Sequence, residues 1–282
     1  MPHLGSNSVA FQGERGAFSY LAATKFLGWK INDLPCSTFR DVFEAVKTGK
    51  TNFAVIPIEN TLHGSVYENY DHLLEYGFPI CGETNVRIAH NLIAMPGARF
   101  RDIRKAFSHP VALNQCRNFF QKYKQIEPIS FYDTAGSVKM LAEQNTPGAA
   151  AIASESAAAI YRGKILKRNI EDHRQNFTRF FLLAKQTRYL RRGTGTDPWK
   201  TSVVFSTENT PGTLFRAMAC FALRDLNLTK IESRPLRGKP WEYLFYVDLI
   251  GRADDTRVQN ALNSLRELAY FVRVLGTYRP TP

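Results

Sequence analysis

Between residues 8 and 186 the chain repeats one order of events: a short apolar, strand-like run, a polar turn, then a helical pattern. "SVAFQ" (8–12) leads through "GERGAFS" into "YLAATKFLG", and "FAVIPIEN" (53–60) leads through "TLHGS" into "VYENYDHLLEYG". "KAFSHP" precedes "VALNQCRNFFQKY", "ISFYD" precedes "TAGSVKMLAEQ", and "AAAIAS" precedes "ESAAAIYRG". A chain of this order folds as α/β with largely parallel sheets. In such sheets the loops at the carboxyl ends of the strands face the ligand crevice. Gln12, Glu59-Asn60, Ser108-His109 and Asp133-Thr134 all stand at those ends. The run from about Phe78 to Pro96, with a return strand after Asn176, connects two lobes with a cleft between them.

After Lys185 the order breaks. "QTRYLRRGTGTDPWK" has Gly, Thr, Pro and cations without periodicity, and residues 187–199 read as a linker. Beyond it "TSVVFST" is a strand and "TLFRAMACFALRDL" a helix with Leu214, Met218, Phe221 and Ala222 on one face. "LTKIESRPL" and "EYLFYVDLIG" are strands joined by a hairpin-like turn, "RGKPW". A helix with Val258, Ala261, Leu262, Leu265 and Leu268 on one face and a last strand, "VRVLGTY", complete the unit. That is βαββαβ, the ferredoxin-like split unit, over residues 200–280.

Composition narrows the function classes. Of 282 residues, 44% are apolar, which supports real cores and excludes a disordered chain. No run reaches the roughly 18 apolar residues of a membrane span. The start "MPHLGSNSVAFQGERG" has no secretory pattern, so a cytoplasmic location is expected, or the plastid stroma if a transit peptide precedes this sequence. Cys36, Cys81, Cys116 and Cys220 are scattered, as expected of reduced thiols, and neither they nor the six histidines show metal-ligand spacing. The net charge of +12 is spread over "RFRDIRK", "RGKILKR" and "RYLRRGTGTDPWK" without a nucleic-acid-binding signature. A basic surface that attracts small anions, with no nucleic-acid, membrane, metal or cofactor partner, is the expectation.

The polar corners supply the chemistry. "NFTRFF" places Thr178 and Arg179 at the start of a buried strand. Alternation sends Thr178 and Phe180 to one face and Arg179 to the other, although at a strand's start both polar side chains can border a cleft. A threonyl hydroxyl is a poor general acid, yet it can donate a short hydrogen bond to a leaving oxygen in a dry pocket. A guanidinium suits bidentate grip on a carboxylate. The glycines of "GERGAFS" permit positive φ, and Ser19 is available as a cap of a helix whose first amides suit an anion. Asn60 and Thr61, with Gly64 and Ser65 in "IENTLHGS", Ser108 and His109 in "FSHP", and Asp133 and Thr134 in "YDTAGS" add hydroxyls and carboxamides for an oxygen-rich ligand. Each alone is also an ordinary turn or cap. In the C-terminal unit, "ENTPGTLF" and "IESRP" offer amides near Gly212 and the Glu232 carboxylate to a small amino acid.

In this order the motifs "GERGAFS", "VIPIENTLHGS", "SHPVALNQC", "DTAGS", "AAIAS", "NFTRFF", "PGTL" and "KIESRP" resemble the prephenate dehydratase family, which includes arogenate dehydratases of plants and algae. The resemblance covers about Val9 to Tyr278. It implies a two-lobed catalytic domain like a type II periplasmic binding protein over residues 8–186, with the second lobe at roughly 86–165, followed by an ACT domain. It implies decarboxylating dehydration of prephenate to phenylpyruvate, with arogenate to phenylalanine as the alternative, and no cofactor.

By the same resemblance, Thr178 is the catalytic donor, and Arg179 holds a carboxylate or fixes the strand. Ser19, Asn60, Thr61, Gly64, Ser65, Ser108, His109, Asp133, Thr134 and Phe180 line the substrate site. Phenylalanine as feedback effector maps onto Asn209, Pro211, Gly212, Thr213 and Leu214 with Glu232, Ser233, Arg234 and Pro235. Paired ACT domains imply a dimer or tetramer. The sequence departs from the family's usual pattern with Val111 in place of Gln, Thr61 in place of Ser, and "IYRGKILK" in place of a "YGL" pattern. Two other classes fit parts of the pattern: a two-lobed small-anion binding or sensor protein, and a basic ACT-containing regulator that binds nucleic acid.

Overall fold

A computed structural model describes residues 7–144, 146–186, 198–236 and 242–281. In chain order the elements begin with β1 (Ser8–Gln12), α1 (Phe18–Leu27), β2 (Asn32–Cys36), α2 (Phe39–Lys47), β3 (Phe53–Asn60), β4 (Gly64–Ser65), α3 (Tyr67–Tyr76), β5 (Ile80–Arg87) and β6 (Asn91–Ala94). They continue with β7 (Lys105–Ser108), α4 (Pro110–Asn114), α5 (Arg117–Lys122), β8 (Glu127–Ser130), α6 (Thr134–Gln144), β9 (Ala149–Ala153), α7 (Glu155–Ile160), β10 (Lys164–Lys167) and β11 (Phe177–Ala184). The C-terminal part holds β12 (Lys200–Thr207), α8 (Thr213–Ala222), β13 (Leu228–Pro235), β14 (Tyr243–Ile250), α9 (Thr256–Leu268), β15 (Ala269–Tyr278) and β16 (Pro280–Thr281).

The chain divides into two compact units. One comprises residues 1–69 and 84–180, the other residues 70–83 and 181–282. The first unit carries two lobes. In its first lobe β11, β3, β1 and β2 lie side by side, with β4 on β3, and β1 runs parallel to both neighbours. Its second lobe is the five-stranded sheet β10-β6-β9-β7-β8. There β7 is parallel to β8 and β9, while β6 is antiparallel to β9 and β10. Every residue of β9 is buried because helices cover both faces of the sheet. Ala149, Ala151 and Ala153 pack with Val138 and Leu141 of α6 on one side, and Ala150 and Ile152 pack with Leu113 and Phe119 on the other.

The second unit contains the antiparallel sheet β13-β14-β12-β15 with α8 and α9, the order of the split βαββαβ unit. Val203, Phe205, Val247 and Leu249 meet Ala217, Cys220 and Phe221 of α8 and Val258, Leu262 and Leu265 of α9. The expected face of α9 is buried apart from Leu268, which is 38% exposed at the helix end. The face of α8 differs from the expectation. Thr213, Ala217, Cys220 and Phe221 are buried, while Leu214 and Ala222 are exposed. The helix is turned so that its small residues allow close packing, and the bulkier Leu214 stays outside.

The boundary after Lys185 also differs from the division into compact units, which falls inside α3, β5 and β11. Residues 70–83 belong with the C-terminal part because their side chains find partners there. The Tyr70 and Tyr246 rings are 4.8 Å apart, Arg234 pairs with Asp71 at 3.2 Å, and Lys200 pairs with the buried Glu83 at 2.7 Å. Of the expected linker, residues 187–197 lie outside the described residues, as does the expected turn at 237–241. No helix among the described residues is long and apolar enough to cross a membrane, and the four cysteines are free thiols.

Candidate active site

The carboxyl ends of strands from both lobes of the first unit enclose a cavity of about 390 Å³. β11 sends Thr178 and Phe180 into it, as alternation along a strand requires. Thr178 is 9% exposed and Phe180 2%. Arg179, on the opposite face, does not line the cavity; its guanidinium lies 3.7 Å from the Glu59 carboxylate with only 13% of the side chain exposed.

Asn60, at the end of β3, fixes Thr178. Its Oδ1 accepts the backbone N–H groups of Leu62 and His63 at 2.9 and 3.0 Å, so the amide has one orientation only. Nδ2 then donates to Asn176 Oδ1 at 2.8 Å, Thr178 Oγ1 at 2.9 Å and the Phe177 carbonyl at 3.2 Å. Thr178 Oγ1 is therefore an acceptor toward Asn60, and its own proton is left to donate elsewhere. A hydroxyl that accepts a hydrogen bond becomes a stronger donor through polarisation.

The "GERGAFS" segment joins β1 to α1 with Gly13 at φ 101° and Gly16 at φ 89°, as the two glycines imply. α1 begins after Ala17 with no side-chain cap, and Ser19 stands inside the helix rather than capping it. The uncapped first turn presents Phe18 and Ser19 to the cavity. Its free amides and the positive end of the helix dipole favour an anion. No lysine or arginine lines the cavity among the described residues. The second lobe clasps this segment. Ser154 donates to the Gly16 carbonyl at 2.6 Å, and Tyr132 and Lys139 hold the Glu14 carboxylate at 3.1 Å.

Asp133 caps α6, accepting the Gly136 N–H at 2.7 Å. Burial pushes its carboxyl above the ordinary value; the N–H groups of Gly136 and Glu14 oppose this, the Glu14 charge adds to it, and His109 opposes it again. His109 caps the short α4, its Nδ1 accepting the Val111 N–H at 3.3 Å.

Nine expected site residues meet in the cavity: Ser19, Asn60, Gly64, Ser65, His109, Asp133, Thr134, Thr178 and Phe180. Three do not. Besides Arg179, Thr61 bridges to the next strand, donating to the Gln175 carbonyl and accepting from Phe177 N–H. Ser108 is fully buried, with its hydroxyl given to the Ile152 carbonyl of β9. Sequence reasoning did not include Phe18, His63, His90, Gln115 and Tyr132, which also line the cavity. Their signal was weak: all but His90 lie within or next to the quoted motifs but carry no spacing pattern. Val111, expected as a departure, lines the cavity as well.

In the second unit, Asn209, Pro211 and Gly212 lie between β12 and α8, with Thr213 and Leu214 in the first turn of α8 and Gly212 at φ 80°. Glu232, Ser233, Arg234 and Pro235 end β13. Register places Thr207 opposite Tyr243 and Tyr243 opposite Pro235, so both segments lie at one end of the sheet. Glu232 is 3.5 Å from Lys230, and Arg234 is engaged by Asp71.

Residues 9–188 match the family described as prephenate dehydratase, and residues 201–267 match the ACT domain. The chain is 46% identical to an arogenate dehydratase/prephenate dehydratase 2 of Arabidopsis thaliana over 96% of its own length and 72% of that protein. It is similar to a solved chain described as GqqA, a quorum-quenching acylase, at 32% identity and TM-score 0.87, covering 98% of this chain and 99% of that one. It is similar to prephenate dehydratase from Arthrobacter aurescens, solved in complex with L-Phe, at 31% identity and TM-score 0.86, covering 96% and 89%. With its two-lobed α/β unit, its split βαββαβ sheet and these matches over nearly its whole length, the chain belongs to the prephenate dehydratase family.

Proposed function

We propose that this chain removes carbon dioxide and water from prephenate to give phenylpyruvate, with arogenate to phenylalanine as the alternative substrate and product. The ring carboxylate leaves as carbon dioxide, its bonding pair enters the ring, and the C–O bond opposite breaks. Aromatisation drives the step, so the protein's work is to hold a dianion and ease the departure of hydroxide. The observation that carries this reading is the Asn60–Thr178 bond, which aims the hydroxyl's own proton away from Asn60. Thr178 donates to the leaving oxygen. The first-turn amides of α1, with Ser19, take a carboxylate, and His109, Thr134, Gly64 and Ser65 border the ring. Arg179 holds the strand through Glu59.

A second reading, amide hydrolysis, comes from the acylase with the same fold. A Thr178 nucleophile would need a base to take its proton, whereas Thr178 Oγ1 is met by a donating amide, Asn60 Nδ2, at 2.9 Å. The test is turnover of prephenate and arogenate by the wild type and by Thr178→Val, which keeps the shape and removes the hydroxyl. A fall in kcat of about 10²–10³-fold is expected. Near-normal turnover in the variant would end the assignment.

We further assign residues 8–186 to catalysis, with the second lobe at 86–165, and residues 200–280 to phenylalanine control through the two segments at one end of the β13-β14-β12-β15 sheet. Chains pair through their ACT domains, so light scattering is expected to give a multiple of 32.0 kDa. A monomer with or without phenylalanine would count against pairing.

A further inference from the structure

One residue that lines the cavity has a ring nitrogen whose chemistry the steps above leave unused. His90 stands between β5 and β6, is 1% exposed and lines the cavity. Its Nε2 lies 2.8 Å from Gln115 Oε1. A carboxamide oxygen only accepts, so the hydrogen between them belongs to the imidazole. The neutral ring is then the Nε2–H tautomer, and Nδ1 keeps its lone pair. That Nδ1 is buried and has no hydrogen-bond partner among the described residues.

The surroundings keep the ring neutral and still. Burial holds its pKa below the ordinary value, while the Gln115 bond and the Glu171 charge act in the other direction. Glu171 is directed elsewhere: one oxygen takes the His90 backbone N–H at 2.9 Å and the other pairs with Arg87 at 2.7 Å. Phe18 meets the imidazole edge to face, with centroids 5.6 Å apart and planes at 79°, which fixes the ring plane. A buried acceptor without a donor is costly, and native proteins rarely keep one without a use.

His90 and Thr178 line the same cavity. Ile88 N–H donates to the Asn176 carbonyl and Ala184 N–H to the Pro79 carbonyl, the pattern of an antiparallel pair. Thr178 therefore stands close to Val86, and His90 follows four residues on (86 to 90), beyond the end of β5 at Arg87 and at most about 13 Å away along the chain. The substrate ring carries its hydroxyl and its short side chain para to each other, so a hydroxyl at Thr178 leaves the side chain for another part of the cavity lining.

We propose that His90 Nδ1 accepts a hydrogen bond from a protonated amine on the substrate's side chain, so that the cavity selects the amino-acid form of the cyclohexadienyl substrate over its keto-acid form. An ammonium supplies the missing donor. A keto oxygen offers only lone pairs and leaves Nδ1 unpaired, the situation in which polar sites discriminate strongly. The inference rests on the dehydratase reading given above and names which of its two substrates fits better.

The test measures kcat/KM for arogenate and prephenate with the full chain. If neither is turned over, the dehydratase reading itself fails. Given turnover, His90→Leu is expected to lower the arogenate-to-prephenate ratio of kcat/KM by about tenfold. A fall of less than about threefold overturns the inference. Should His90→Leu not fold, nitrogen-15 NMR of histidine-labelled Thr178→Val protein decides. Arogenate is expected to move the signal of an unprotonated Nδ1, and prephenate to leave it in place. An Nδ1 that carries the proton in the free protein, or that answers both ligands alike, overturns the proposal.

Discussion

Asn60 donates to three oxygens and accepts from two amides, so its side chain has no freedom to turn. Asn60→Asp replaces the donor toward Thr178 with an acceptor, and the threonyl proton would then point at the new carboxylate. Steady-state kinetics are expected to show kcat lowered by about 10²-fold or more with a smaller change in KM; an unchanged kcat would separate Asn60 from the chemistry. Asp133 yields a prediction of another kind. Its carboxyl is held above the ordinary value of 3.8, mainly by burial. The folded state thus binds this proton more tightly than the unfolded chain. That contribution to stability is complete below 3.8 and is lost as pH rises through the folded value. Asp133→Asn keeps an acceptor for Gly136 and removes the titration. Thermal melts from pH 4 upward are expected to fall less steeply for the variant than for the wild type, and parallel curves would contradict the cause given.

At the scale of elements, the β1–α1 segment is the most tightly specified. A Cβ on Gly16 would stand 2.6 Å from Ala157 Cα, and the backbone there has φ +89°. Gly16→Ala is expected to lower the melting temperature by several degrees and to reduce turnover, since the first turn of α1 would shift. A melt and a rate equal to wild type would show that the loop yields. The same segment shows what was legible in the sequence. Its glycines and its place between strand and helix announced the turn, and the strand–turn–helix order announced both lobes and the βαββαβ unit. The side on which each polar residue falls was less legible. Thr178 and Arg179 are neighbours, and only pairing partners decide that one enters the cavity while the other meets Glu59. Ser108 looked like a site hydroxyl and proves to be a cross-strand stitch, because β9 brings the Ile152 carbonyl beside it. His90 carried no local signal at all. The role proposed for it depends on Gln115, 25 residues away, and on a burial that no spacing announces.

At the scale of the whole chain, the division into two compact units runs through β5 and β11 rather than through the segment after Lys185. Residues 70–83 and 181–184 contact one another and the C-terminal elements. Phe181 packs on Tyr278 at 5.7 Å, the Tyr246 hydroxyl donates to the Tyr70 carbonyl at 2.9 Å, and Cys81 donates to the Leu182 carbonyl. Ser202, Asp248 and Tyr278 form a buried hydrogen-bonded group that reaches toward Glu83. A chain ending at Gln186 is therefore expected to expose these surfaces. Calorimetry should find a broad transition or none, and a sharp one at wild-type temperature would show that residues 1–186 are self-sufficient. Exchange of regulatory modules among relatives faces the same geometry. A hybrid joined only near residue 190 inherits a foreign ACT sheet beside a native tyrosine, aspartate and glutamate from the 70–83 stretch. Donor and recipient must trade that stretch and the tail of β11 together, or the graft arrives without the side chains it was shaped to receive.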